Sequence, residues 1–149
     1  MEYIELDIWK LMKKLLKNYW RMIKMSVPTW KRQQSKMEYV INAKNIVKYI
    51  TERCLKLPKR LTFFMSTKLV DASHKLYIRV LHIQSLYSKT EEHSKKRLEL
   101  IEESIALLNY LCSMLDILYI YTEGKMTDKQ FETLSNMLEK EIVLLKGLK

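Results

Sequence analysis

Apolar residues return at every third or fourth position through most of this chain, which is the spacing of one face of an α-helix. Ile4, Ile8, Leu11, Leu15 and Tyr19 form the first stripe, in a predicted helix over residues 3–24. Val40, Ala43, Val47, Ile50, Cys54 and Leu57 form the second, over about 33–55. Met65, Leu69, Ala72, Leu76, Val80, Ile83 and Tyr87 form the third, over 61–88. Leu98, Ile101, Ile105, Leu108, Cys112, Leu115 and Tyr119 form the fourth, over 90–121, and Phe131, Leu134, Leu138, Ile142 and Leu145 line the last.

The breaks between stripes carry turn chemistry. Pro28, within Ser26-Val27-Pro28-Thr29, lacks the N–H that a helix interior needs. Leu57-Pro58-Lys59-Arg60 ends the second helix and Gly124 supplies the turn after the fourth. Thr127-Asp128-Lys129-Gln130 matches a capping box, and Gly147 is placed to close the last helix as its C′ residue. Gly and Pro number only 2 each, as long helices with short links require. A 48% hydrophobic share suits a packed core and not a disordered chain. Short links favour antiparallel neighbours. The expected fold is therefore all-α: an antiparallel up-down four-helix bundle over residues 25–149, with an extra basic amphipathic helix over 1–24.

The formal charge is +10, and its placement says more than its size. Residues 1–60 hold 15 Lys/Arg against 5 Asp/Glu, whereas residues 61–149 hold 12 of each. A one-sided excess of this kind points to a polyanionic partner: nucleic acid, an anionic membrane or an acidic protein surface.

Catalytic chemistry finds few residues to use. His74 and His82 stand two helical turns apart, without the carboxylate or second histidine at i+4 that a helical metal site uses; they and His93 read as surface or interface histidines. Two glycines cannot build a phosphate-binding loop or a nucleophile elbow. Asp71 and Asp116 read as partners in interhelical salt bridges or helix-end contacts. Cys54 and Cys112 sit on apolar stripes and read as buried small hydrophobes, not as a disulfide. No enzyme, metal or cofactor is expected. The first residues are acidic, unlike a secretory leader, and no run of 18 apolar residues occurs, so the expected location is cytoplasmic.

Basic clusters are the strongest remaining signal. They are Lys31, Arg32 and Lys36; Lys56, Lys59 and Arg60 at a turn; Lys68, Lys75 and Arg79 along one helical face; and Lys89, Lys95, Lys96 and Arg97 near the next turn. The first nine of these residues up to Arg79 are the candidate nucleic-acid contacts, able to meet phosphates without reading sequence.

Several ordered motifs resemble a known family. They are Ser26-Val27-Pro28-Thr29-Trp30-Lys31-Arg32 with Ser35-Lys36, Leu57-Pro58-Lys59-Arg60, Thr67-Lys68-Leu69-Val70-Asp71-Ala72, Ser88-Lys89-Thr90 and Leu115-Asp116-Ile117. Together they resemble the accessory variability determinant proteins of diversity-generating retroelements, over about residues 25–147. That family is related to the four-helix-bundle proteins of ribosomal RNA intervening sequences. The resemblance implies a non-catalytic homopentamer that binds the element's reverse transcriptase and its template RNA or cDNA during mutagenic cDNA synthesis. It places Lys31, Arg32, Lys59, Arg60 and Lys68 at basic positions of the family motifs. The chain departs from the family pattern at His82-Ile83-Gln84-Ser85, where a small residue followed by Asn is usual, and at Gly147-Leu148, where Gly-Trp is usual.

Two alternatives stand beside this reading. One is an intervening-sequence-type bundle protein with a different binding role. The other is a peripheral membrane protein held by residues 1–24, where Trp9, Tyr19 and Trp20 accompany the lysines; a membrane is not the expected partner. Met25 opens Met-Ser-Val-Pro-Thr-Trp-Lys-Arg, which reads as a natural start and would make residues 1–24 an upstream extension.

Overall fold

The computed structural model describes residues 10–17, 37–86, 90–122 and 124–149. The expected break at Pro28, the aromatic residues Trp9, Tyr19 and Trp20, the Met25 start, Tyr87, Lys89, and the candidate contacts Lys31, Arg32 and Lys36 lie outside the described residues. The chain divides into two units, Met1–Lys36 and Met37–Lys149.

In the first unit, residues 10–17 are helical. Lys10, Lys13, Lys14 and Lys17 alternate with the exposed apolar residues Leu11, Met12, Leu15 and Leu16, so the segment is amphipathic.

The second unit is all-helical among its described residues. Its helices are α1 (Glu38–Cys54), a short α2 (Lys59–Leu61), α3 (Thr67–Ser85), α4 (Glu91–Tyr121) and α5 (Asp128–Lys146). A π-helical turn, Thr62–Ser66, joins α2 to α3 without a break. Pro58 caps α2, where its missing N–H costs nothing. The Thr90 hydroxyl accepts the His93 N–H at the start of α4. Both arms of the expected capping box form at α5: Gln130 N–H donates to Thr127 Oγ1, and Thr127 N–H donates to Gln130 Oε1. Gly124 takes φ +78°, a left-handed conformation that glycine adopts without strain. Gly147 does not close α5 in that way. It keeps right-handed φ and ψ of −68° and −15°; its N–H donates to the Val143 carbonyl and the Leu148 N–H donates to the Leu145 carbonyl, so the helix ends in a tighter turn.

The four long helices form a ring of contacts, with α1 and α4 each packing against α3 and α5. One continuous core fills the middle, with Ile46, Leu76, Ile101, Leu108, Leu138 and Leu145 almost wholly enclosed.

The core stripe of α3 follows the expected one through Met65, Leu69, Ala72, Leu76, Val80 and Ile83. On α4 the buried line is turned from its expected position. Ile101, Ser104, Leu108, Leu111, Leu115 and Leu118 face inward, while Leu98 and Tyr119 are 43% and 56% exposed and Cys112 is only half-buried. The buried Ser104 explains the difference. Its hydroxyl donates to the Leu100 carbonyl at 2.7 Å, so a polar side chain occupies a core position at little cost. The buried line is turned likewise on α5, where Glu141 is buried and its neighbour Ile142 is only partly so, and on α1, where Asn42 and Ile46 are buried and Val47 is partly so.

Candidate nucleic-acid interface

The basic residues that the sequence singles out fall into groups with different surroundings. Lys56 lies in the turn after α1, Lys59 and Arg60 open α2, and Lys68 lies in the first turn of α3; all four are exposed. Lys75 is exposed two turns further along α3. Lys56, Lys59, Lys68 and Lys75 make no ion pair with a described carboxylate. Residues 53–70 contain five Lys/Arg and no Asp/Glu, so this stretch, between Glu52 and Asp71, carries charge of one sign.

Arg79 stands apart. Its guanidinium is partly buried and pairs with Glu103 of α4 at 3.2 Å, so it spends its charge between helices. The cluster at the start of α4 is also engaged: Lys95 pairs with Glu91 at 3.8 Å and Lys96 with Glu99 at 3.9 Å, while Arg97 is half-buried. Spacing alone put Lys68, Lys75 and Arg79 on one face; the structure gives that face two exposed lysines and one paired arginine. Arg53, near the end of α1, lies over the Tyr49 ring at 5.1 Å, and the Tyr49 hydroxyl donates to the Gln130 carbonyl at 3.2 Å.

Two aromatic residues missing from the sequence reading belong to the same end. Phe63 and Phe64 sit in the π turn directly after Lys59 and Arg60. The signal was present as an aromatic pair beside a basic pair, but neither ring lies on the Met65–Leu69 stripe. A groove of about 400 Å³ runs beside the turn, lined by Leu55, Leu57, Lys59, Thr62, Thr67 and Val70 among others.

The remaining polar chemistry is structural in its surroundings. Asp71 and Asp116 are exposed and neither forms the expected interhelical salt bridge with a described residue. His74, His82 and His93 are exposed, and among the described residues no three His, Cys, Asp or Glu side chains converge as a metal ion would need. Cys54 and Cys112 are free thiols. Burial pushes both up, opposed at Cys54 by Ser66 and reinforced at Cys112 by Glu139 and Asp116.

Glu141 is the one carboxyl buried in the core among the described residues. Its Oε2 accepts the Asn42 side-chain N–H at 2.8 Å, and no described residue hydrogen-bonds to Oε1. Burial pushes the carboxyl up to about 7, against the opposing pull of Asn42 and Lys140; Glu38 adds to the rise. Glu38 and Lys140 themselves pair at 2.7 Å across α1 and α5. Enclosed in this way, Glu141 offers no face to a substrate.

One helix among the described residues, α4, is long and apolar enough to cross a membrane. It gives one face to the core shared with α3 and α5. Comparison with protein-family models, curated proteins and solved structures finds no match to this chain.

Proposed function

We propose that this protein is a non-catalytic, basic helical adaptor that binds nucleic acid. The observation that carries the proposal is the contrast between its cations. Lys56, Lys59 and Lys68 stand exposed at one end of the helices and pair with no carboxylate among the described residues, whereas Arg79, Lys95, Lys96 and Lys140 are tied to carboxylates. Unpaired cations in a segment without acids are placed to replace the counterions of a phosphate backbone. The resemblance described above names the partners: the reverse transcriptase and template RNA or cDNA of a diversity-generating retroelement, with the adaptor acting as a cytoplasmic homopentamer.

The helices of the second unit are read as an antiparallel up-down four-helix bundle. Contacts between helices support this. Asn42 meets Glu141 while Tyr49 meets Gln130, so chain order reverses between α1 and α5. Arg79, late in α3, meets Glu103, early in α4.

The test is co-purification of the tagged chain with a reverse transcriptase and its template RNA over a salt series. Salt-sensitive RNA binding, with a polymerase in the complex, supports the adaptor. Binding unchanged at several times physiological salt would overturn its electrostatic basis.

A membrane-surface role is the second reading, favoured by the amphipathic helix at residues 10–17 with its exposed Leu11, Met12, Leu15 and Leu16. Liposome flotation of the full chain against a chain starting at Met25 separates it. Equal flotation of both removes it.

A further inference from the structure

Phe63 is 80% exposed and Phe64 66% exposed, with ring centroids 5.4 Å apart and ring planes at 89°. They are two of the chain's three phenylalanines. Leaving both rings in water forfeits the burial that such side chains usually gain, so their position needs a cause and invites a partner.

The cause is the π turn. The Thr62 carbonyl accepts the Thr67 N–H, five residues on, and also the Thr67 hydroxyl at 2.8 Å. A turn closed at i+5 holds one residue more than an α turn. That surplus is visible in the burial pattern: Thr62, Phe63 and Phe64 are exposed in succession, whereas α3 never exposes more than two residues in a row. Met65 and Ser66 behind them remain buried, so the turn keeps its anchor in the core while the rings stand out. Single π turns within helices recur at functional sites.

The surroundings of the rings are cationic. Lys56 and Lys59 precede them and Lys68 follows, one turn beyond. The adjoining groove presents Thr51, Thr62, Thr67 and Asp71 beside Leu55 and Val70. The groove surface is mainly apolar, which suits the face of a base, and the Thr51 and Thr62 hydroxyls are available to its polar edge.

We propose that this end of the helices binds single-stranded nucleic acid, with unstacked bases laid against Phe63 and Phe64 and phosphates held by Lys56, Lys59 and Lys68. The proposal rests on the nucleic-acid reading above and narrows it to an unpaired strand. A duplex keeps its base faces inside its own stack, where an exposed ring cannot reach them. A single strand offers a π face at every nucleotide, whatever its sequence, together with a phosphate charge. Rings and lysines in one short stretch serve both features at once.

The test uses the full chain and a short RNA carrying a fluorescent adenine analogue, either single-stranded or annealed to its complement. Binding is followed by anisotropy, and stacking by quenching of the analogue. The single strand is expected to bind more tightly than the duplex and to be quenched. The pair Phe63→Ala and Phe64→Ala should lower single-strand affinity about tenfold and abolish quenching, with duplex binding and helical circular dichroism unchanged. Phe63→Trp should retain quenching and Phe63→Leu should weaken it, which separates stacking from simple apolar contact. Equal, salt-sensitive binding of both RNA forms without quenching would overturn the stacking site and leave the nucleic-acid reading in place. Absence of binding to either form at low salt would overturn both. Ring substitutions that abolish only flotation with anionic liposomes would assign the rings to a membrane and overturn the proposal.

Discussion

The Asn42 side-chain amide donates to Glu141 Oε2 at 2.8 Å and to the Met137 carbonyl at 3.0 Å, joining the first turns of α1 to the last turns of α5 inside the core. Both residues are buried, and together they form a polar clasp between helices nearly a hundred positions apart. Such a clasp is valuable only while both halves are present, because an abandoned buried polar group keeps its desolvation cost.

Replacing Asn42 alone by Leu should therefore lower stability by about 2 kcal/mol, read from urea melts. Replacing Asn42 by Leu and Glu141 by Met together should recover most of that loss, since two apolar side chains leave nothing unsatisfied. A double variant no better than the single one would show that the clasp's geometry matters more than its polarity.

Stability should also fall as pH rises. The Glu141 carboxyl is raised from 4.5 to about 7 in the folded chain. Between those values the unfolded chain releases a proton that the folded one keeps, so the folded state loses ground as pH climbs and levels off above 7. The full span corresponds to roughly 3 kcal/mol at most. Chemical denaturation at pH 5 and pH 8 should show the wild type more stable at pH 5, with the difference largely removed in Glu141→Gln.

The division between paired and unpaired cations predicts unequal effects on RNA binding. Lys59→Gln and Lys68→Gln should each reduce the slope of log affinity against log salt by about 0.7 on single-stranded RNA. Arg79→Gln should change it much less, because Arg79 already faces Glu103. Glu103→Gln, which frees that guanidinium, should strengthen binding. A larger effect at Arg79 than at Lys68 would reverse this assignment of the basic face.

Thr127→Ala removes the hydroxyl that accepts Gln130 N–H and should cost about 1 kcal/mol. The loss should appear in thermal or urea melts as a lower midpoint with an unchanged slope.

Alkylation of the cysteines should be slow at pH 8. Both thiols are pushed up by burial, and Cys112 faces the added repulsion of Glu139 and Asp116. Cys54, buried where Cys112 is half-buried, should be the slower of the two when followed by mass spectrometry.

Helix identity and order were legible in the sequence because the 3–4 spacing survives almost everywhere. Rotational register was less legible. A reading that follows apolar residues passes from Ile101 to Ile105 and from Leu138 to Ile142, although Ser104 and Glu141 are the residues that face inward. Each satisfies part of its polarity inside the core, Ser104 on its own helix at Leu100 and Glu141 across to Asn42, and hydropathy does not register such arrangements. The basic segment at the α1–α2 turn was visible as charge. Whether a given cation is spent on a carboxylate depends on neighbouring helices, so Arg79 and Lys68 could not be told apart. Phe63 and Phe64 were passed over because a π turn breaks the period on which the reading depended.

That turn also makes the chain unusually forgiving at one place. Removing a residue from an α-helix rotates everything beyond it by about 100° and drags core side chains into water. Between Thr62 and Phe64 the backbone already carries a surplus residue, so a single deletion there should restore α-helical hydrogen bonding and leave the inward phase of Leu69, Leu76 and Val80 intact. In lineages of such a chain, length variation would concentrate here, with folding insulated from the gain or loss of the exposed rings.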